Sequence, residues 1–208
     1  RQRVSSPAQA ASLLGLDILK SLVLVVHIFT EQDGLSMEGF SLKALWTHSL
    51  STAILSQDIA RQQNIEQKAS EDAFIAGLFH DLGKLVLMVN MPQPYSQALA
   101  MARSKHIALY EAEKEILGAS HAEVGAYLLG IWGFSEPLVE ACAFHHVPSQ
   151  CKKPCFGPLT TVHVANVFDH ENHPMESGDA PIRLDEDYLA RIQLLNRVPA
   201  WRSACGTA

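Results

Sequence analysis

Apolar positions recur every three to four residues along almost the whole chain, which is the spacing of amphipathic helices rather than of strands. "SPAQAASLLGLDILKSLVLVVHIF" opens with Ser6 as a helix cap and Pro7 at the first helical position, and its apolar residues crowd together towards the end. "EQDGLSMEGF" reads as a loop, and "SLKALWTHSLSTAILSQDIARQQN" as a long amphipathic helix starting near Ser41. "SEDAFIAGLFHDLGKLVLMVN" reads as one helix with Ser70 as its cap and acids in its first turn. Five further helical segments follow: "PQPYSQALAMARSKH", "ALYEAEKEILG", "SHAEVGAYLLGIWG", "SEPLVEACAFHH" and "PLTTVHVANVFDHE". Several open on Ser or Pro and several close on Gly, the usual helix punctuation. Residues 174–182 are loop-like, "LDEDYLARIQLLN" is a last short helix, and the tail after Pro199 is expected to be loose. No strand alternation and no internal repeat stands out, so the expected fold is all-α, a helical bundle.

Composition narrows the function classes. The chain has 208 residues and is 48% hydrophobic and 18% charged, enough to bury a sizeable core. Sixteen basic and 22 acidic residues leave a net charge of −6 with no Lys/Arg-rich run, which argues against direct nucleic-acid binding through bulk charge. The longest apolar run, "SLVLVVHIF", is shorter than the roughly 20 residues needed to cross a bilayer. No signal peptide is visible, so no membrane partner and a cytoplasmic location are expected. Cys142, Cys151, Cys155 and Cys205 are expected to be free thiols. The alternative is a small zinc site of Cys151, Cys155 and a nearby histidine.

Candidate chemistry lies in the polar residues of apolar helices. "AFIAGLFHDLGKLVLMVN" carries His80, Asp81 and Lys84 within five positions. Burying such groups is costly unless they are paired or coordinate a metal. His48 sits in an earlier helix, His121 opens a later one, His145 and His146 close another, and Asn166 and Asp169 lie in the next. Facing helices of a bundle are where such sites are assembled. Neutral imidazoles and one carboxylate suit Fe, Mn, Ni or Zn. An Asp can bridge two ions, and Lys84, three residues on, shares its helical face. There it could meet a phosphoryl oxygen or neutralise Asp81. His163, one turn before Asn166, is a candidate for orienting a ligand. His27 is expected in the core or against a partner, and His106, His170 and His173 in solvent. Trp46 and Trp132 read as packing residues.

The pattern "H…HDLGK…H…HH" resembles the HD superfamily of metal-dependent phosphohydrolases, and within it the HDOD domain, related to the HD-GYP phosphohydrolases. "SSPAQAASLLGLDILKSLVL", "AFIAGLFHDLGKLVL", "EKEILGASHAEVGAYLLGIWGFSEPLVEACAFHH" and "PLTTVHVANVFDH" carry the resemblance in order and spacing. It implies an HDOD domain over residues 1–172, truncated at its N-terminus, with a loop, short helix and tail over 173–208. It implies metal ligation by His48, His80, Asp81, His121, His145 and His146, with Asn166 as a weak ligand, and, in an enzyme, catalytic roles for Lys84 and Asp81. Three positions depart from the catalytic relatives. Asn166 stands where they carry an Asp, Ala44 where some carry a further Glu ligand, and no "GYP" follows His146.

Two function classes follow from the resemblance. One is a non-catalytic output module of a bacterial signalling protein or response regulator, with a partly kept metal site. Its partners would be proteins of a two-component system, such as an N-terminal receiver domain and a cognate kinase, or a second copy in a homodimer. The other is a metal-dependent phosphodiesterase acting on a nucleotide such as cyclic di-GMP. Asn166 and the missing "GYP" favour the first.

Overall fold

Polar residues set the helix boundaries. The computed structural model describes residues 16–30, 37–63, 65–173 and 180–206. The chain divides into two compact units, Arg1–Leu35 and Ser36–Ala208. In the first unit the described part is helix α1, Leu16–Thr30, on which Leu16, Val23, Val26 and His27 are exposed. The Ser6 cap and Pro7 lie outside the described residues, as do most of the expected loops at 31–40 and 174–182.

Among its described residues the second unit is built of helices, with one isolated bridge, Met37–Phe40, and no strand. It comprises α2 (Leu42–Arg61), α3 (Gln67–Phe79), α4 (Leu82–Asn90), α5 (Pro92–Lys105), α6 (Leu109–Leu117), α7 (His121–Ile131), α8 (Glu136–Phe144), α9 (Pro158–Asn172), α10 (Glu186–Arg191) and α11 (Val198–Ala204). Ser41 caps α2 by accepting from the Ala44 amide at 3.2 Å, as its position before the apolar run predicts. Ser120 and Glu123 form a reciprocal capping box on α7, with the Ser120 amide donating to the Glu123 carboxylate at 2.8 Å.

Two helices form the interior. In α3 every residue from Ala73 to Phe79 is buried, and in α9 every residue from Leu159 to Asp169. Neither stretch presents a face to solvent, so both have to be surrounded. Accordingly α2, α8 and α9 pack on α3, and α2 and α8 also pack on α9. A layer of α4 against α7, and α7 against α8, continues the bundle, and α5 pairs with α6. Ala98, Ala102 and Ala112 form the core of that pair.

Three expectations from sequence are corrected. Ser70 is not a cap, because α3 begins earlier, at Gln67. The apolar run 70–90 is not one helix, because it breaks at His80 and Asp81. The tail after Pro199 is not loose: it forms α11, and Trp201 is fully buried. Tyr188 anchors the preceding segment, its hydroxyl 2.7 Å from Thr160 Oγ1 on α9. Emptying the Trp201 site should therefore destabilise the domain rather than leave it untouched. Trp201→Ala is expected to cost about 3–5 kcal/mol in urea unfolding, the range for a buried aromatic.

Candidate metal centre

The helix break places the chemistry. His80 keeps helical dihedrals, and the backbone leaves the helical path at Asp81, which takes φ −103° and ψ 8° before α4 begins. The interruption frees carbonyls at the end of α3. The Cys142 thiol of α8 donates to one of them, His80 O, at 3.3 Å. Burial pushes that thiol's pKa up, so it stays a protonated donor. Two glycines allow the helices to close around the break. A Cβ on Gly77 would lie 2.7 Å from Ala53 Cα in α2, and one on Gly83 would lie 1.9 Å from the His121 carbonyl at the start of α7. Backbone therefore meets backbone on both sides of the His80–Asp81 corner.

Four imidazoles are held by their Nδ1 atoms. His48 Nδ1 faces Asp169 Oδ2 at 2.6 Å, and His80 Nδ1 faces the Gly77 carbonyl at 2.7 Å. His121 Nδ1 faces Glu113 Oε2 at 2.6 Å, and His145 Nδ1 faces the Cys142 carbonyl at 2.8 Å. Carboxylates and carbonyls only accept, so each Nδ1 carries a proton and donates it. In a neutral ring the opposite nitrogen, Nε2, then presents a bare lone pair. Burial lowers the pKa of His80, His145 and His146, which favours their neutral forms. His121 goes the other way: burial alone would lower its pKa, but Glu113 and Asp81 together outweigh it. That makes His121 the more basic donor.

All four Nε2 atoms lie around one carboxylate. Asp81 Oδ2 lies 3.5 Å from both His48 Nε2 and His80 Nε2. Asp81 Oδ1 lies 3.2 Å from His121 Nε2 and 3.6 Å from His145 Nε2. Lys84 Nζ donates to Asp81 Oδ2 at 2.6 Å. Burial alone would raise the Asp81 pKa, but the surrounding imidazoles and the Lys84 ammonium together outweigh it and hold the carboxyl well below its usual range. The donor atoms fall into two groups, each with its atoms within 4.8 Å of one another: His48, His80 and Asp81, and Asp81, His121, His145 and His146.

The residues fit a cation. Asp81 Oδ1 and His145 Nε2 are both buried without a hydrogen-bond partner. His48 Nε2 and His80 Nε2 stand 3.1 Å apart with both rings already donating through Nδ1. Two lone pairs so close repel unless a proton or a cation lies between them. Three imidazoles and a carboxylate make a complete tetrahedral set for Zn or a related ion, whereas two imidazoles and a carboxylate leave a position open.

The other expected residues lie at the margin or elsewhere. Asn166 is buried in α9, and its Oδ1 has no hydrogen-bond partner. It shares a face of α9 with Asp169 and His170, three and four residues on. Asp169 positions His48 rather than joining a donor group. Ser51 also donates to it. Burial and His48 act on Asp169 in opposite directions, and its pKa is lowered. His163 holds His145 from behind, donating from Nδ1 to the His145 carbonyl at 2.8 Å, while its Nε2 accepts from the Asp185 amide at 2.9 Å. His170 is not solvent-facing as expected. Its ring centroid lies 4.6 Å from that of His48, and burial takes its pKa to about 4. His106 and His173 are exposed. The cysteines are free, and among the described residues none belongs to a donor group.

Three contributors were not singled out by sequence. They are Cys142, Glu113 and Tyr110, whose ring stacks on His146 at 4.7 Å and 17°. Glu113 and Tyr110 sit three residues apart in α6, a spacing that puts them on one face, and this was the available signal.

Comparison with known proteins gives a consistent assignment. A family model for the HDOD domain matches residues 1–148. A protein of Treponema pallidum (strain Nichols), described as uncharacterized, is 26% identical over 125 residues. That match takes in 60% of this chain but only 24% of the relative, so the chain spans about a quarter of its length. An HDOD domain protein of unknown function from Geobacter sulfurreducens has a similar fold, with a TM-score of 0.74 at 23% identity over 99% of this chain and 67% of that one. The MmoQ response regulator of Methylococcus capsulatus (strain Bath) is similar with a TM-score of 0.55 at 25% identity over 96% of this chain and 77% of that one.

The Lys84–Asp81 pair yields a test of the centre in its metal-free form. Removing one partner of a buried ion pair strands the other charge. Lys84→Met is expected to destabilise the chelator-treated protein by about 3–5 kcal/mol in urea unfolding. Added divalent ion, which replaces the lost positive charge beside Asp81, is expected to restore part of that loss.

Proposed function

The chain belongs to the HDOD domain family, and on that premise we propose that it is a regulatory module of a bacterial signalling protein that holds one divalent transition metal tightly. The observation that carries the metal reading is the pair of buried, unpartnered atoms Asp81 Oδ1 and His145 Nε2. Leaving them so would cost about 1–3 kcal/mol each. With His121 and His146 they complete a closed set of four donors, the form of a structural site. Fe, Mn, Ni or Zn would suit it, and its chemistry there is to neutralise Asp81 and lock four elements together.

The signalling reading draws on the family and on the response regulator that shares the fold. Its partners would be a receiver domain and a cognate kinase, with a second copy of the chain as another candidate, in the cytoplasm. No helix among the described residues is long and apolar enough to cross a membrane.

Two features support a non-catalytic role. Asp81 is 1% exposed and Lys84 6%, so a nucleotide has little access to either. Asn166 supplies a neutral oxygen on α9 where the catalytic relatives carry an Asp, whose charge would strengthen a second ion. A phosphohydrolase reading is favoured by a different feature. The two donor groups share Asp81, and Lys84 lies against it, the arrangement a two-ion hydrolysis would use.

Metal content and turnover decide between them. Wild-type protein is expected to carry about one ion per chain by elemental analysis, and His121→Ala to lose it. Asn166→Asp is expected to raise the content towards two by strengthening the group of His48, His80 and Asp81. His80→Ala in that background is expected to reverse the gain. None of these proteins is expected to hydrolyse cyclic di-GMP rapidly. Two ions per wild-type chain with rapid turnover would establish the phosphohydrolase instead, and no metal in any variant would leave a purely structural polar network.

A further inference from the structure

Glu113 is a carboxylate with no obvious reason to be buried. It lies in "LYEAEKEIL", among residues that would suit a solvated helix face, yet it is fully buried beside Ala112. Ionised carboxylates are rarely buried unless something compensates them. The compensation comes from one residue. Glu113 Oε2 accepts from the His121 amide at 2.7 Å and from His121 Nδ1 at 2.6 Å, while Oε1 has no partner. A single oxygen thus grips both the backbone and the ring of His121 at the first position of α7.

The grip matters because two carboxylates compete for the His121 proton. On one side Glu113 is 2.6 Å from Nδ1, and on the other Asp81 Oδ1 is 3.2 Å from Nε2. If the proton sat on Nε2 it would point at His146 Nε2, 2.9 Å away, and at Asp81, and block the lone pair that would face an ion. With Glu113 present the proton is held on Nδ1. Tyr110, from the same face of α6, stacks on His146. One helix outside the histidine-bearing segments therefore backs two of the three imidazoles in the four-donor group.

We propose that Glu113 is the positioning residue of this centre, fixing the tautomer and orientation of His121 so that its Nε2 is a bare donor towards Asp81 and the ion. The inference rests on the metal reading for its consequence but not for its geometry, and the two can be tested apart. In the metal-free full chain, long-range nitrogen–proton NMR at alkaline pH reads the tautomer of His121. Wild type shows Nδ1–H, and Glu113→Met shifts the proton to Nε2. Cobalt(II) is then titrated into the same proteins and followed by its visible absorption and by chelator competition. Glu113→Met weakens the tight cobalt ion by about 10–100-fold, the usual loss when a ligand's hydrogen-bond partner is removed. Glu113→Gln, which keeps an oxygen for the His121 amide and leaves the metal-free unfolding midpoint near wild type, weakens it in the same direction by less.

An unchanged His121 tautomer in Glu113→Met would overturn the proposal. So would equal cobalt affinity in wild type and both variants. Wild type that takes up no cobalt but loses its Nδ1–H tautomer on substitution would remove the metal reading and leave the positioning role standing.

Discussion

Everything in the interior is arranged around one buried carboxylate. Asp81 lies where α3 ends and α4 begins, with an ammonium on one oxygen and imidazoles facing both. A charge in that position is tolerable only if several elements contribute compensation at once. The break in the helix, the backbone contacts at Gly77 and Gly83, and the convergence of α2, α7 and α8 on the corner all serve to bring it. The apolar packing of α3 and α9 builds the frame, but this carboxylate explains why the frame carries so many polar groups in its middle.

The imidazoles are presented in a common way. Each of His48, His80, His121 and His145 gives its Nδ1 proton to an acceptor behind it and turns Nε2 inward. Such outer contacts set which nitrogen is free and how basic it is. Convergence alone would leave the rings free to satisfy one another. Their anchoring prevents that, and this is what separates a latent ligand set from an ordinary buried polar cluster.

Much of this was readable in the chain. Ser41 and Ser120 mark helix starts because short hydroxyl side chains satisfy free amides, and Gly118 ends α6 with a φ of 80°. The six residues that converge were legible as polar side chains in apolar helices. The break at His80–Asp81 was not, because Gly77 and Gly83 flank it without marking it and the apolar pattern resumes straight after it, and only tertiary contacts reveal the corner. Glu113 was hidden for the opposite reason: it looks like one more surface acid until the turn at Gly118 folds α6 back over the start of α7. Trp201 was misjudged because a short helix after Pro199 has no periodicity long enough to read, and its burial is decided by helices far away in sequence.

The anchors behind the four rings fall into two kinds. His80 and His145 are held by peptide carbonyls, those of Gly77 and Cys142, while His48 and His121 depend on the side chains of Asp169 and Glu113. A carbonyl belongs to the main chain and survives any replacement of the residue that bears it, provided the helix persists. Half of the support is thus inherited with the fold itself, while the other half has to be maintained residue by residue. Lineages that relax the centre would therefore show it first at positions 113 and 169, with the histidines lingering afterwards as relics in an otherwise intact bundle.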